Sequence, residues 1–145
     1  MRKNIGFYIE KVNTANRNVD IFKTLNWHVR RRSVDDASLF YNDIDYNPLI
    51  PAFGMFNSAD IWGFTGTLFT TSLNNALRAN SIVNKFKLFH IYNRWDDKEI
   101  MKVIQVANNI EVITEDENEF YRITGKKPVH QFEKIDAAEL LKVLT

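Results

Sequence analysis

FKLFHIYNRWDDKEIMKVIQVANNIEVIT, residues 86–114, places two apolar runs on either side of one helical stripe. The first run, 86–93, has the length and the aliphatic and aromatic content of a buried strand, and the second run covers 110–114. Between the runs, apolar residues recur at i, i+3, i+4 and i+7, which are Ile100, Val103, Ile104 and Ala107. A strand, a helix and a further strand of these lengths form a right-handed crossover between parallel strands. This stretch therefore predicts an α/β fold.

The same alternation extends through the chain. Further strands are predicted at 4–10, 37–43, 50–56, 59–64 and 129–134. Helical stripes stand at Phe22, Leu25 and Val29, at Phe69, Leu73, Ala76 and Leu77 in a helix reaching Val83, and at Ala137, Leu140, Leu141 and Leu144. A short helix after residue 114 is predicted to end at Gly125. We expect one three-layer α/β domain over residues 1–145, with a mainly parallel sheet of Rossmann or flavodoxin type.

Composition narrows the class of protein. The chain is 45% hydrophobic and 13% aromatic, which is typical of a folded globule, and it contains no cysteine, which excludes disulfides and thiolate chemistry. No apolar run is long enough to cross a membrane, and the first residues lack a secretory signal. We therefore expect a cytoplasmic protein with no membrane partner and no metal or other cofactor.

Positive charge is concentrated in residues 1–33, which carry eight Lys and Arg against two acidic residues. Such a segment favours an anionic ligand, a nucleic acid or an acidic partner. Nucleic-acid binding would use Lys11, Arg17 and the triplet 30–32, and it is the weakest of the three functional hypotheses considered. A solvated helix face explains the same charges.

Most helix starts in the sequence are already neutralised by acidic residues. Capping patterns are present at Asp96 and Glu99, at Thr114 and Glu117 or alternatively Asp116 and Glu119, and at Asp136 and Glu139. Two turns lack acids: 13–18 and 63–67. Free N–H groups at a helix N-terminus bind phosphate or carboxylate, so the second turn is predicted to hold an anion through Gly63, Thr65, Gly66 and Thr67. Alternatively, Gly66 only permits a tight strand-to-helix turn, with Thr65 or Thr67 as the helix cap.

Further candidate residues follow other predicted strands, where ligands bind in open α/β sheets. Asn13 would add a polar contact across the point where strand order reverses. Asn93, Arg94 and Trp95 follow the strand 86–93, and an arginine beside a flat ring suits a phosphate with a stacked base or sugar. Alternatively, Trp95 packs on its own helix and Arg94 is solvated. The three histidines lie inside predicted elements, which favours structural roles.

Four segments together resemble a known family. NIGFYIE, ADIWGFTGTLFTTSLNNALRA, KLFHIYN and NNIEVITEDENEFYRITGKKPVHQFEKIDAAELLKVL are similar in order and character to the N-terminal half of GT-B type glycosyltransferases. The matching positions are Ala59-Asp60, Gly63, Gly66, Ala76, Ala79, Thr114-Glu115, Gly125 and Pro128. The composition, rich in Asn, Ile, Lys and Phe, also resembles small glycosyltransferase-like proteins of tailed phages.

The resemblance implies a domain that binds a nucleotide-sugar or another small phosphorylated ligand. In that family a C-terminal domain holds most of the nucleotide-sugar, so transfer by this chain would need a partner chain or a homodimer. The alternative hypothesis is a non-enzymatic interaction module, of the kind that a phage could encode, that binds a protein partner through Trp27, Trp62 or Trp95.

Overall fold

The computed structural model describes residues 3–45, 47–82 and 86–144. Its centre is one parallel sheet of seven strands, in the order β3-β2-β1-β4-β5-β6-β7. The strands are β1 (Asn4–Val12), β2 (Asp36–Ile44), β3 (Gly54–Asn57), β4 (Gly66–Thr70), β5 (Phe86–Tyr92), β6 (Glu111–Thr114) and β7 (His130–Gln131). The order reverses between β1 and β4, as in Rossmann-like folds. The predicted α/β class and parallel sheet are confirmed.

Helices cover both faces of this sheet. They are α1 (Asn16–Arg31), α2 (Leu73–Asn80), α3 (Ile100–Asn109), α4 (Glu117–Thr124) and α5 (Ala137–Leu140). On one face, α1 and α5 pack over Phe7, Phe69 and Phe89, whose rings stack across three adjacent strands with centroids 5.2 and 5.8 Å apart. On the other face, α2, α3 and α4 enclose a second core. No helix in the described ranges is long and apolar enough to cross a membrane.

The chain between β3 and α2 differs from the prediction. The predicted strand at 59–64 is a 3-10 helix, Ser58–Gly63, because the Asn57 side chain caps it by accepting from the N–H of Ala59. The strand lies later, at β4, and the helix predicted to include Phe69 begins at Leu73. Phe69 fits the helical spacing only by chance, because its ring lies in the stacked row on the sheet. The predicted end of this helix at Val83 lies outside the described residues.

Two edge strands are shorter than predicted. The run 50–56 contributes only β3, which begins at Gly54, and the run 129–134 contributes only β7. Each of these strands pairs on one side only, with β2 and β6 respectively. The remaining predicted strands and helices are present within a few residues of the expected bounds.

Candidate functional site

The carboxyl ends of β1 and β4 form a crevice at the point where strand order reverses. From there α1 leaves toward one face of the sheet and α2 toward the other, so both helix N-termini border the crevice. Neither helix has an acidic residue in its first turn. The partial positive charge of the two helix ends is therefore not neutralised by the helices themselves.

Side chains already shape the turns that lead into these helices. Asn13 Oδ1 accepts hydrogen bonds from the N–H of Ala15 at 3.0 Å and from Asn18 Nδ2 at 2.7 Å. Ser72 Oγ caps α2 by accepting from the N–H of Asn75, and it donates to Glu10 Oε1 at 2.8 Å. The predicted site residue Asn13 thus lies at the crevice, but its side-chain oxygen organises the start of α1.

Between the two helix starts lies a cavity of about 570 Å³, which we call the switch-point pocket. Its walls include the first residues of α1 and α2, together with Arg17, Trp95 and Lys98. The Arg17 guanidinium lies 5.9 Å from the centroid of the Trp95 ring, and it donates to the carbonyl of Thr71 at 3.4 Å. A cation and two helix N-termini therefore border one polar space.

Two of the three carboxylates around the switch-point pocket are paired with groups outside it, whereas Glu10 is hydrogen-bonded to the hydroxyl of Ser72, which itself lines the pocket. Glu10 accepts from Ser72, Glu99 pairs with Lys102 at 2.9 Å, and Asp96 is bound to His90 at 2.8 Å. In the described part of the chain, no carboxylate forms a salt bridge with Arg17 or Lys98. Both cations can therefore face an incoming anion.

A second cavity of about 400 Å³ adjoins this pocket and shares Arg17, Thr71 and Trp95 with it. We call it the apolar cavity, because its inner wall is made of core side chains between the sheet, α1 and α5: Phe7, Ile21, Ile91, Ile135 and Leu140. Polar groups line its rim, among them Asp20, Arg94, Glu115 and Asp116. Its size is that of a small-molecule site.

Asn93, Arg94 and Trp95 all border the apolar cavity. Asn93 Oδ1 accepts from the N–H of Trp95 at 3.1 Å and so starts the 3-10 helix Arg94–Glu99. The Trp95 side chain is 59% exposed. Arg94 Nε donates to Asp116 Oδ2 at 2.7 Å, and this contact holds the pKa of the Asp116 carboxyl below its usual range. The charge of Arg94 is therefore largely matched by a carboxylate.

A buried hydrogen-bonded chain fixes the segment that carries these residues. Thr70 Oγ1 lies 2.9 Å from His90 Nδ1, and His90 Nε2 lies 2.8 Å from Asp96 Oδ2. All three side chains are buried. Asp96 directly follows Trp95, so this chain anchors the 3-10 helix to the middle of the sheet. His90 has the structural role that its position in a strand predicted.

The other predicted site residues lie where the strands begin, at the end of the sheet opposite the crevice. Gly63 ends a 3-10 helix, and Gly66 and Thr67 begin β4, so the prediction that they start a helix is wrong. Gly66 has a φ of +134°, and a Cβ there would lie 2.5 Å from the carbonyl oxygen of Asn4. The carbonyl of Thr65 accepts from Asn4 Nδ2 at 3.0 Å. At these residues the backbone therefore runs close to β1, away from the crevice.

The acid-free helix start is real, but it lies at Ser72 and Leu73. The signal that located it, the lack of acidic residues between Asp60 and β5, covers the whole segment and cannot tell one turn from the other. The sequence prediction accordingly missed Thr71, Ser72, Asn74 and Lys98 as pocket residues. Within the described residues, no group of His, Asp and Glu side chains is placed to hold a metal ion.

Comparison with known proteins adds no assignment to this geometry. No family model matches the chain, and no curated protein or solved structure matches it either.

Proposed function

We propose that this chain binds a small phosphorylated ligand with the phosphate in the switch-point pocket. The observation that carries the proposal is the meeting of two helix N-termini, neither with an acidic residue in its first turn, beside Arg17 and Lys98, which form no salt bridge within the described residues. Backbone N–H groups at helix starts and an arginine fork are the groups that proteins use to bind phosphate. A group attached to the phosphate would contact Trp95, which borders the same pocket.

The resemblance to GT-B glycosyltransferases supports a nucleotide-sugar as one ligand of this kind. Their N-terminal halves place the same kind of sheet edge against a second domain. Glycosyl transfer is therefore proposed only for an assembly in which a partner chain or second copy closes the crevice. Release of nucleoside diphosphate from a UDP-sugar that rises more steeply than linearly with protein concentration would support a homodimer as that assembly.

Calorimetric titration with inorganic phosphate, UDP and UDP-glucose tests the binding proposal. We expect Arg17→Gln to weaken binding about tenfold, since a charged hydrogen bond contributes roughly 1.5 kcal/mol or more. Arg30→Gln is the matched control, because it removes the same charge from an exposed position near the other end of α1. Arg94→Gln should have a smaller effect than Arg17→Gln, because Asp116 already neutralises Arg94.

Failure of all three ligands to bind would overturn the proposal, and so would equal losses in the Arg17 and Arg30 variants. The first result would favour the interaction module as the function. That candidate is supported by the exposed indoles of Trp62 and Trp95, which are 62% and 59% exposed and lie at opposite edges of the sheet. Binding of a protein partner that survives Arg17→Gln but is lost in Trp95→Ala or Trp62→Ala would establish it.

A further inference from the structure

The apolar cavity has a wall of apolar side chains that phosphate binding does not use. The partly exposed Ile91 and Ile135 contribute to its inner wall, in front of Phe7 and Leu140, which are no more than 2% exposed. Apolar side chains of this kind gain free energy when an apolar group replaces the water beside them. The cavity opens beside Trp95 and Arg17, which also border the switch-point pocket, so one molecule can reach both spaces.

Several polar groups of the cavity are already hydrogen-bonded within the chain, whereas Asp20 lies at its exposed rim. Thr114 Oγ1 donates to the carbonyl of Tyr92 at 3.1 Å and accepts from the N–H of Asp116 at 2.9 Å. The side-chain oxygen of Asn93 accepts from Trp95, and Arg94 is paired with Asp116. A nucleobase placed here would bury several donors and acceptors with few partners, which carries a desolvation cost. An apolar group brings no donors or acceptors of its own and so avoids that part of the cost.

The geometry points to an amphiphilic ligand, an organic phosphate whose aliphatic or aromatic group fills the apolar cavity while its phosphate occupies the switch-point pocket. This inference rests on the proposed function for the phosphate and adds the class of the group attached to it. Arg17 stands where the two spaces meet, so its guanidinium would face the phosphate at the head of the apolar group.

A homologous series of methyl, propyl, butyl and hexyl phosphate, with inorganic phosphate and phenyl phosphate, tests the inference by calorimetry. Each added methylene is expected to tighten binding about threefold to fourfold until the cavity is full. UMP should bind more weakly than phenyl phosphate, because its base brings unsatisfied polar groups.

Thr24→Trp supplies the second arm, since Thr24 lines the apolar cavity but not the switch-point pocket. The variant should retain binding of inorganic phosphate and lose the dependence on chain length. Lys23→Trp is the matched control, because Lys23 is exposed on the same helix. Thr24→Met is the milder variant should the larger residue prevent folding, and it should shorten the longest chain that still improves binding.

The outcomes separate this inference from the proposed function. Binding of inorganic phosphate with equal affinity for methyl and hexyl phosphate would leave the proposed function standing and overturn the amphiphilic ligand. Tighter binding of UMP than of phenyl phosphate would overturn it as well. If no phosphate binds, both fall; if hexanol then still binds the wild type but not Thr24→Trp, the cavity alone is an apolar site.

Discussion

The sheet has an amino edge, where its parallel strands begin, and a carboxyl edge, where they end. Both edges carry threonine and asparagine at tight turns, but these side chains have different roles at the two edges. At the amino edge, Asn4 donates to the carbonyl of Thr65, and a pocket of about 440 Å³ is lined by Asp36 and Asp60. At the carboxyl edge, Asn13 and Ser72 shape two helix starts and leave cations facing the pocket. Small polar residues therefore mark turns at both edges, whereas cations, Arg17 and Lys98, line the pocket at the carboxyl edge and not the one at the amino edge.

The largest effect expected at either edge follows Gly66→Ala. The new Cβ would meet the carbonyl oxygen of Asn4 at 2.5 Å, and the φ of +134° is one that side-chain-bearing residues rarely adopt. Strain and overpacking together should lower the free energy of unfolding by about 3 kcal/mol. Urea unfolding followed by tryptophan fluorescence measures the change.

Gly63→Ala is the control three residues earlier. Nothing lies within 4 Å of a Cβ at Gly63, so its effect should stay within about 0.5 kcal/mol. Phosphate binding should be unchanged in Gly63→Ala. Weaker phosphate binding in that variant, with normal stability, would restore the glycine turn as an anion site and break the contrast between the two edges.

The carboxyl edge is tested next through the chain of Thr70, His90 and Asp96. Asp96→Ala leaves His90 Nε2 buried without its partner, which should cost about 2 kcal/mol of unfolding free energy. Glu99→Ala, at the exposed end of the same 3-10 helix, should cost no more than about 0.5 kcal/mol. Similar losses in the two variants would show that the buried chain does not hold this segment.

Ligand binding gives this comparison a second readout. Because Asp96 anchors the segment that carries Trp95, Asp96→Ala should also weaken binding of phenyl phosphate relative to inorganic phosphate. A variant that loses stability but keeps the ratio of the two affinities would assign Asp96 to the fold alone.

Much of the fold was predictable because local patterns and tertiary structure agree. The stretch 86–114 has a strand run, a helical stripe and a second strand run, and the structure has β5, α3 and β6 there. The predicted capping pair is wrong, since Asp96 binds His90, Glu99 binds Lys102, and no side chain caps α3. The stretch 59–73 was not predictable, because Phe69 and Leu73 fit a helical spacing while Phe69 packs in a row of rings from other strands. Contacts between segments that are distant in sequence cannot be predicted from the local spacing of apolar residues.

The candidate site likewise has residues that local patterns predict and residues that they do not. Asn93, Arg94 and Trp95 were predictable because they directly follow a clear strand, whose carboxyl end defines the edge. One group of predicted site residues lies at the other edge: Gly63, Thr65, Gly66 and Thr67. The predicted strand 59–64 would place them after the carboxyl end of a strand, whereas they lie at the amino end of β4. The partners of Arg17 and Arg94 could not be predicted, since Thr71 and Asp116 are distant in sequence.

The smallest predicted effect concerns the pairing of Arg94, which distinguishes it from Arg17. Arg94 and the N–H of Glu119 lower the pKa of Asp116 below its usual value of 3.8. A lowered folded-state pKa contributes stability that is present above the unfolded-state pKa of 3.8 and is lost as the pH falls from there through the lower folded value. Arg94→Gln should therefore raise the pKa of Asp116 toward 3.8 and flatten this loss.

Carbon-13 NMR titration of the Asp116 carboxyl measures that pKa directly. Arg122→Gln is the matched control, because Arg122 pairs with Glu119 and lowers the pKa of Glu119. If Arg94→Gln leaves the pKa of Asp116 unchanged, the guanidinium of Arg94 is not held by that carboxylate in solution. Arg94 would then be as free as Arg17 to meet a phosphate, and the expected order of their effects on binding would no longer hold.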